Sequence, residues 1–250
     1  MFETEIRDGV AIARFAHGKV NALDVEFLTG WMDELKSLAS VETPAAVVTG
    51  TGSVFSAGVD LRRLTAGGRD YVREFLPLMA EAFHETLTFP KPLIAAVNGH
   101  AVAGGCILAC ACDYRVMTEG SGRIGTPELS VGVPFPNVAM EILRLTVPAN
   151  RLQAVIYQGK MYTPSEALGE GLIDELAPAE RLIDRAVEIA SRLGRVPAAS
   201  FALTKRLIRQ PGQDRLARFQ RSIDEDVLAA WMSPPVLDAV GAYVDRTLKK

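Results

Sequence analysis

Apolar and polar residues alternate through residues 2–7 and again through 10–15, and Asp8-Gly9 between them is a strong signal for a two-residue hairpin turn. The spacing then changes to that of a helix. Asp24 can cap a segment running to about Ala39, with Phe27, Leu28, Trp31, Leu35 and Leu38 on one face. Ala45-Ala46-Val47-Val48-Thr49 is short and continuously apolar, as suits a strand buried on both sides. The alternation recurs as a helix from about Asp70 to Leu87, a strand at Leu93–Val97, a helix opening near Gly104 and a strand at Tyr114–Met117. Repeated strand and helix in succession predict an α/β architecture with largely parallel strands. After about residue 147 helical spacing dominates, over 148–158, 164–170, 179–194, 199–209, 213–232 and 235–248. The simplest parse is a mixed core over 1–195 and a helical region over 196–250, packed together because no low-complexity linker separates them.

Composition narrows the classes of function. The 250 residues carry 27 Lys and Arg against 30 Asp and Glu, and this balance lacks the excess of positive charge that binding to nucleic acid requires. No uncharged apolar run approaches the length of a membrane span, since Asn98, Gly99 and His100 interrupt the longest, Leu93–Cys112. Met1–Glu5 has neither the basic segment nor the apolar stretch of a signal peptide, so a cytoplasmic location is expected. Cys106, Cys110 and Cys112 lie among apolar residues with no second cluster to complete a metal site, and read as small buried hydrophobes. Neither a nucleic-acid nor a membrane partner is expected, and no metal.

Two glycine-containing segments follow buried strands: Thr49-Gly50-Thr51-Gly52-Ser53-Val54-Phe55-Ser56-Ala57-Gly58-Val59-Asp60-Leu61, and Val97-Asn98-Gly99-His100-Ala101-Val102-Ala103-Gly104-Gly105-Cys106. Small residues between a strand and a helix let backbone N–H groups approach a ligand, and the helix start favours negative charge. Neither segment is a dinucleotide fingerprint or a phosphate-binding loop. Alone, each could be no more than a tight turn.

Together, and in order, they carry more. Phe55-Ser-Ala-Gly-Val-Asp-Leu61, then Lys91-Pro-Leu-Ile-Ala-Ala-Val-Asn-Gly-His-Ala-Val-Ala-Gly-Gly-Cys106, then Cys112-Asp-Tyr-Arg115, resemble the crotonase (enoyl-CoA hydratase/isomerase) superfamily. The match continues through Gly125-Thr-Pro-Glu-Leu-Ser-Val-Gly132, Thr163-Pro-Ser-Glu-Ala167 and Gly171-Leu-Ile-Asp174, and begins at Asn21-Ala22-Leu23. The resemblance implies a spiral core of repeated ββα units with C-terminal helices that build a homotrimer or a dimer of trimers. It implies an acyl-CoA thioester as substrate, with CoA as part of that substrate and no separate cofactor. By position it assigns the thioester oxygen to the backbone N–H groups of Val59 and Gly104, and the acyl-CoA contacts to Ala57, Gly58, Asp60, Leu61, Arg62, Gly105, Ile107, Pro127, Phe135 and Pro136.

The side chains that move protons then discriminate among reactions. Hydratases similar to this chain use two glutamates; Glu128 stands at one of those positions and Ile107, which cannot carry a proton, at the other. Moving a double bond from the 3 to the 2 position needs one base to take a proton from C2 and return it to C4, so a Δ3,Δ2-enoyl-CoA isomerase is the leading expectation. A hydratase with an atypical second acid and a non-catalytic acyl-CoA-binding protein are the alternatives. Gly132-Val-Pro-Phe-Pro136 departs from the usual glycine-rich turn and holds no aspartate, which disfavours dienoyl-CoA isomerases, dehalogenases and hydrolases. Arg62 and Arg63 could meet the CoA phosphates or be a solvated pair. His84 could approach the acyl pocket but has no partner in sequence, and a structural role is the simpler expectation, as it is for His17 and His100. Glu141 and Glu166 read as surface residues on helices. Leu228, Trp231, Val236 and Leu237 read as exposed apolar positions available to an oligomer.

Overall fold

The computed structural model describes residues 1–247. The hairpin is β1 (Phe2–Arg7) against β2 (Val10–Phe15), with Arg7 opposite Val10. Asp8 and Gly9 both have positive φ, 51° and 75°, the primed turn whose twist matches the strands.

From β2 onward the chain coils through four strand–strand–helix turns. The first is β2, β3 (Ala22–Leu23) and α1 (Val25–Ser40); the second is β4 (Ala46–Thr49), β5 (Val54–Ser56), β6 (Gly58–Val59) and α2 (Leu61–Thr88). The third is β7 (Leu93–Val97), β8 (His100–Val102) and α3 (Gly104–Ala111); the fourth is β9 (Tyr114–Thr118), β10 (Ile124–Gly125) and α4 (Glu128–Val131). The leading strands stack in a six-stranded sheet, β1-β2-β4-β7-β9-β12, closed by β12 (Glu175–Ala177) and parallel except for the hairpin. The second strands build a separate sheet, β11-β10-β8-β5, with β11 (Met161–Tyr162), while β3 pairs with β6. Each turn therefore adds a strand to the first sheet and crosses to another layer, and the ββα spiral expected from the resemblance is observed.

The rest of the chain is largely helical: α5 (Asn137–Thr146), α6 (Ala149–Gln158), α7 (Pro164–Glu170), a 3-10 turn at Ala179–Arg181, α8 (Leu182–Gly194), α9 (Ala198–Trp231) and α10 (Pro234–Thr247). Position 248, the last of the expected final helix, lies outside the described residues, as do 249 and 250. Asp24 caps α1 by accepting the Phe27 N–H at 2.8 Å, and Thr163 with Glu166 forms a reciprocal capping box on α7, so Glu166 is a surface residue as expected. All four residues of β4 are buried because both faces of the main sheet are covered. Phe15, Phe27, Trp31 and Phe55 pack on one side, and α8 lays Leu182, Val187 and Ile189 over Ile12, Val47 and Ile94 on the other. Among the described residues no single helix is long and apolar enough to cross a membrane.

Four expectations are corrected. α2 begins at Leu61 rather than near 70; Asp60 caps it, and Gly68 (φ 55°, ψ −141°) kinks it. α9 runs unbroken from 198 to 231 although Pro211-Gly212 predicts an interruption, because tertiary packing on α5 overrides local propensity. The centre of that packing is Glu141, which is buried, not a surface residue: Arg144 donates to it at 2.7 Å and Arg215 at 2.6 Å. Trp231 is likewise buried, while Leu228, Val236 and Leu237 are half-buried against the core. The exposed apolar positions of α9 are instead Leu203, Leu207, Ile208, Phe219 and Ile223. Cys106, Cys110 and Cys112 are buried free thiols, and no group of three metal-ligating side chains occurs among the described residues.

A second ionic knot ties α9 to the sheet. The Asp113 carboxylate accepts from Lys205 at 2.7 Å, Arg209 at 2.9 Å and the Leu93 N–H at 2.9 Å. Burial pushes the Lys205 ammonium down to about 8 while Asp113 pulls the other way. Removing Asp113 would leave two desolvated cations uncompensated, and Asp113→Asn is expected to destabilise the fold by about 3–5 kcal/mol in urea unfolding at pH 7. Adding Lys205→Met should recover part of that loss; no recovery would mean the cations are not what the carboxylate balances.

Candidate active site

The spiral brings the ends of its turns together around an apolar cavity of about 610 Å³. The second turn contributes Ala57, Val59, Asp60, Leu61 and Arg62; the third, Val102, Ala103, Gly104 and Ile107; the fourth, Pro127, Glu128 and Val131. Of the expected site residues, Gly58, Gly105 and Phe135 do not line it. Phe135 is packed in the core. Gly105 lets α3 lie on β5, since a Cβ there would stand 2.4 Å from the Ser56 carbonyl oxygen. Gly58 has φ +76°, and a Cβ on it would stand 2.5 Å from the Val102 oxygen and 3.1 Å from the Gly104 nitrogen. The second and third turns thus touch backbone to backbone, which side chains would prevent.

Only the later halves of the two glycine segments face the cavity. The earlier halves are tied to each other: Asn98 accepts the Gly50 N–H at 2.8 Å and donates to the Gly52 oxygen at 3.0 Å, and the His100 N–H donates to the Ser53 oxygen at 3.0 Å. Asn21 clamps the first turn to the second. Its amide donates to the carbonyls of Val54 and Phe55 at 3.1 and 3.2 Å, and Ser56 Oγ donates to the Asn21 carbonyl at 2.7 Å. Just before α3, Ala103 holds φ 50° and ψ −120°, a conformation that non-glycine residues rarely adopt and that surrounding structure must enforce. It aims the first turn of α3 at the cavity.

Glu128 opens α4 directly after β10, and Pro127 precedes it at the cap. Its side chain is buried and Oε2 has no hydrogen-bond partner among the described residues. Burial in this apolar wall pushes its carboxyl up to about 8 from the ordinary 4.5. Ile107 of α3 lines the same wall and offers no second acid. Asp60 spends its carboxylate on the α2 cap, accepting the N–H groups of Arg62 and Arg63 at 3.0 Å. Arg63 turns away to Asp24 and Glu26, so of the basic pair only Arg62 reaches the lining. His84 pairs with Gln213 at 2.9 Å and His17 with Asp24 at 2.8 Å; neither lines the cavity, nor does His100.

The sequence reading missed half of the wall. Lys19, Val20 and Ala22 come from the first turn, Met79 and Phe83 from α2, Val133 and Ala139 from the segment around α5. Trp231 and Tyr243 come from α9 and α10, so the cavity spans the division expected at residue 195. Met79 and Phe83 lie on the helix expected from about Asp70 to Leu87, whose spacing does not separate a core position from a cavity wall.

The turns of the ββα spiral thus converge on an apolar cavity with the buried Glu128 carboxyl in its wall. A family profile described as enoyl-CoA hydratase/isomerase matches residues 5–246. The chain belongs to that family and is an enzyme of it. It is 28% identical to enoyl-CoA delta isomerase 1, mitochondrial, of Rattus norvegicus over 100% of this chain and 88% of the relative. It is 29% identical to 2,3-dehydroadipyl-CoA hydratase of Escherichia coli over 76% of this chain and 74% of the relative. The crystal structure of human mitochondrial delta3-delta2-enoyl-CoA isomerase superposes with a TM-score of 0.94 at 24% identity, covering 99% of this chain and 98% of the other, and shares its fold.

The raised Glu128 carboxyl makes a stability prediction. Between pH 4.5 and 8 the folded state keeps a proton that the unfolded chain gives up, so this group's contribution to stability falls as pH rises across that window. Glu128→Gln is expected to stabilise the protein by about 3 kcal/mol at pH 7, with the gain vanishing towards pH 4.5. Thermal unfolding of both proteins across this range checks it; a gain independent of pH would contradict a desolvated carboxyl.

Proposed function

We propose that this protein is a Δ3,Δ2-enoyl-CoA isomerase with Glu128 as its single acid–base group. The observation that carries the reading is the pairing of the lone buried carboxyl of Glu128 with Ile107 on the same wall. Hydration needs a second group to hold and activate water, whereas allylic isomerisation returns one proton to the same molecule.

In the proposed reaction the thioester oxygen rests between the N–H groups of Val59 and Gly104. Asp60 donates its own N–H to the Leu23 carbonyl at 2.9 Å, so Val59, one residue earlier on an extended strand, turns its N–H the other way. Gly104 is the first residue of α3, where an N–H has no partner within the helix. Ionised Glu128 removes a proton from C2, and the electron pair moves onto the thioester oxygen as a dienolate that the two donors stabilise where water is excluded. Collapse of the dienolate takes the proton back from Glu128 at C4, leaving the double bond at C2 and the enzyme unchanged. Only a proton moves, and no group beyond the substrate is required.

A base with its carboxyl near 8 is well matched to an acidified α-proton, and desolvation makes the ionised form a stronger base than in water. The kcat/KM for a 3-enoyl-CoA is expected to rise with pH through about 8 as Glu128 loses its proton. Glu128→Gln should lower kcat by about 10²–10⁴ while acyl-CoA binding persists. The decisive assay follows conjugated thioester absorbance. A rise with 3-enoyl-CoA and no change with 2-trans-enoyl-CoA supports isomerisation; a fall with the second restores hydration, and full turnover by Glu128→Gln sinks the mechanism.

The same reading extends to assembly as a homotrimer or a dimer of trimers. The row on α9 that includes Leu207 and Ile208, 62% and 65% exposed, supports a contact between copies. Light scattering at micromolar concentration should give at least three times the chain mass, and Leu207→Asp with Ile208→Asp should reduce it; a monomeric wild-type mass would refute the assembly.

A further inference from the structure

We propose that Trp231 sets the longest acyl chain this enzyme accepts: its indole is the end wall of the cavity, and the hollow behind it is the space a longer chain would need. The proposal rests on the acyl-CoA reading above and adds to it the substrate class, thioesters whose chains stop short of that wall.

Exposure gives the cavity a direction. Lys19 and Arg62 are exposed and mark its mouth, whereas Trp231 is 2% exposed and belongs to its buried, apolar part. A second hollow of about 560 Å³, rimmed by the exposed Glu81, Arg221 and Glu225, shares Pro136 with the cavity. α2 presents Met79 and Phe83 to the first and Ala80 and His84 to the second. α9 presents Val227 and Leu228 to the second and, one turn later, Trp231 to the first. The same short stretches of α2 and α9 thus line both hollows.

Trp231 is fixed in place. Its Nε1–H donates to the Pro134 carbonyl at 2.9 Å, which also holds the Val133–Pro136 turn against α9. Swinging the indole aside would strand that acceptor in an apolar setting, so the wall resists a longer chain instead of yielding to it. The Pro-Phe-Pro departure noted in the sequence thus acquires a role, as the fixed post to which the wall is fastened.

The test uses saturated acyl-CoAs of increasing length, which bind without reacting, in calorimetric titrations of the full-length protein. For wild type, Kd should tighten about fourfold per added methylene until the chain meets the wall. One further step should then weaken binding by about tenfold or more. Trp231→Ala should move this limit to chains at least two carbons longer, and Ala139→Leu, which fills the same cavity from α5, should move it to shorter ones. Should Trp231→Ala fail to fold, Ala139→Leu and a Trp31→Phe background decide: there the single remaining indole should change its emission only with chains that reach the limit. No limit in wild type, or a limit unmoved in the folded variants, overturns the proposal. Isomerase turnover with an unmoved limit defeats the wall alone; a moved limit without turnover defeats the reaction assignment alone; absence of any acyl-CoA binding defeats both.

Discussion

Two stretches of backbone meet at Gly58 and Gly104 with no side chain between them, and the site is arranged around that contact. A methyl group on Gly58 would collide with the Val102 carbonyl, and one on Gly104 would stand 2.6 Å from Leu23. Because the third turn closes on the second at this point, β8 pairs with β5, β10 follows on β8, and Glu128 emerges from β10 facing the junction. The clamp by Asn21 and the strained Ala103 belong to the same constraint, holding peptide groups in positions they would not select unaided.

The environment that gives Glu128 its chemistry also makes it a burden on the fold. A carboxyl desolvated in an apolar wall is costly to ionise, and that cost is what raises its affinity for a proton. Elsewhere the chain treats buried charge differently. Glu141 is a buried acid and Asp113 a partly buried one, yet each is matched by two cations of α5 or α9. The contrast separates carboxylates that hold helices in place from the one in the cavity wall.

Much of this was legible in the chain. The hairpin at Asp8-Gly9, the cap at Asp24 and the buried strands follow from periodicity and turn chemistry, which act locally. The motif order placed Val59, Gly104, Ile107 and Glu128 on one cavity because a spiral returns to the same place at each turn. What stayed hidden depends on contacts distant in sequence. Glu141 reads as one more polar helix position until Arg215 arrives from 74 residues away. Trp231 resembles a surface anchor until the Pro134 carbonyl takes its proton donor. Gly58 and Gly105 look like ligand loops, but their missing side chains serve packing between turns.

The walls of the cavity run from Lys19 to Tyr243, nearly the whole length of the chain. Most of the contacts that shape it are therefore between residues far apart in sequence, which slows the search for the native topology. A growing polypeptide emerging from the ribosome holds both glycine junctions and Glu128 well before α9 and α10 exist to enclose them. Until then its apolar trough lacks Trp231 and Tyr243. Enclosure of the wall that holds Glu128 therefore waits until α9 and α10 have been made.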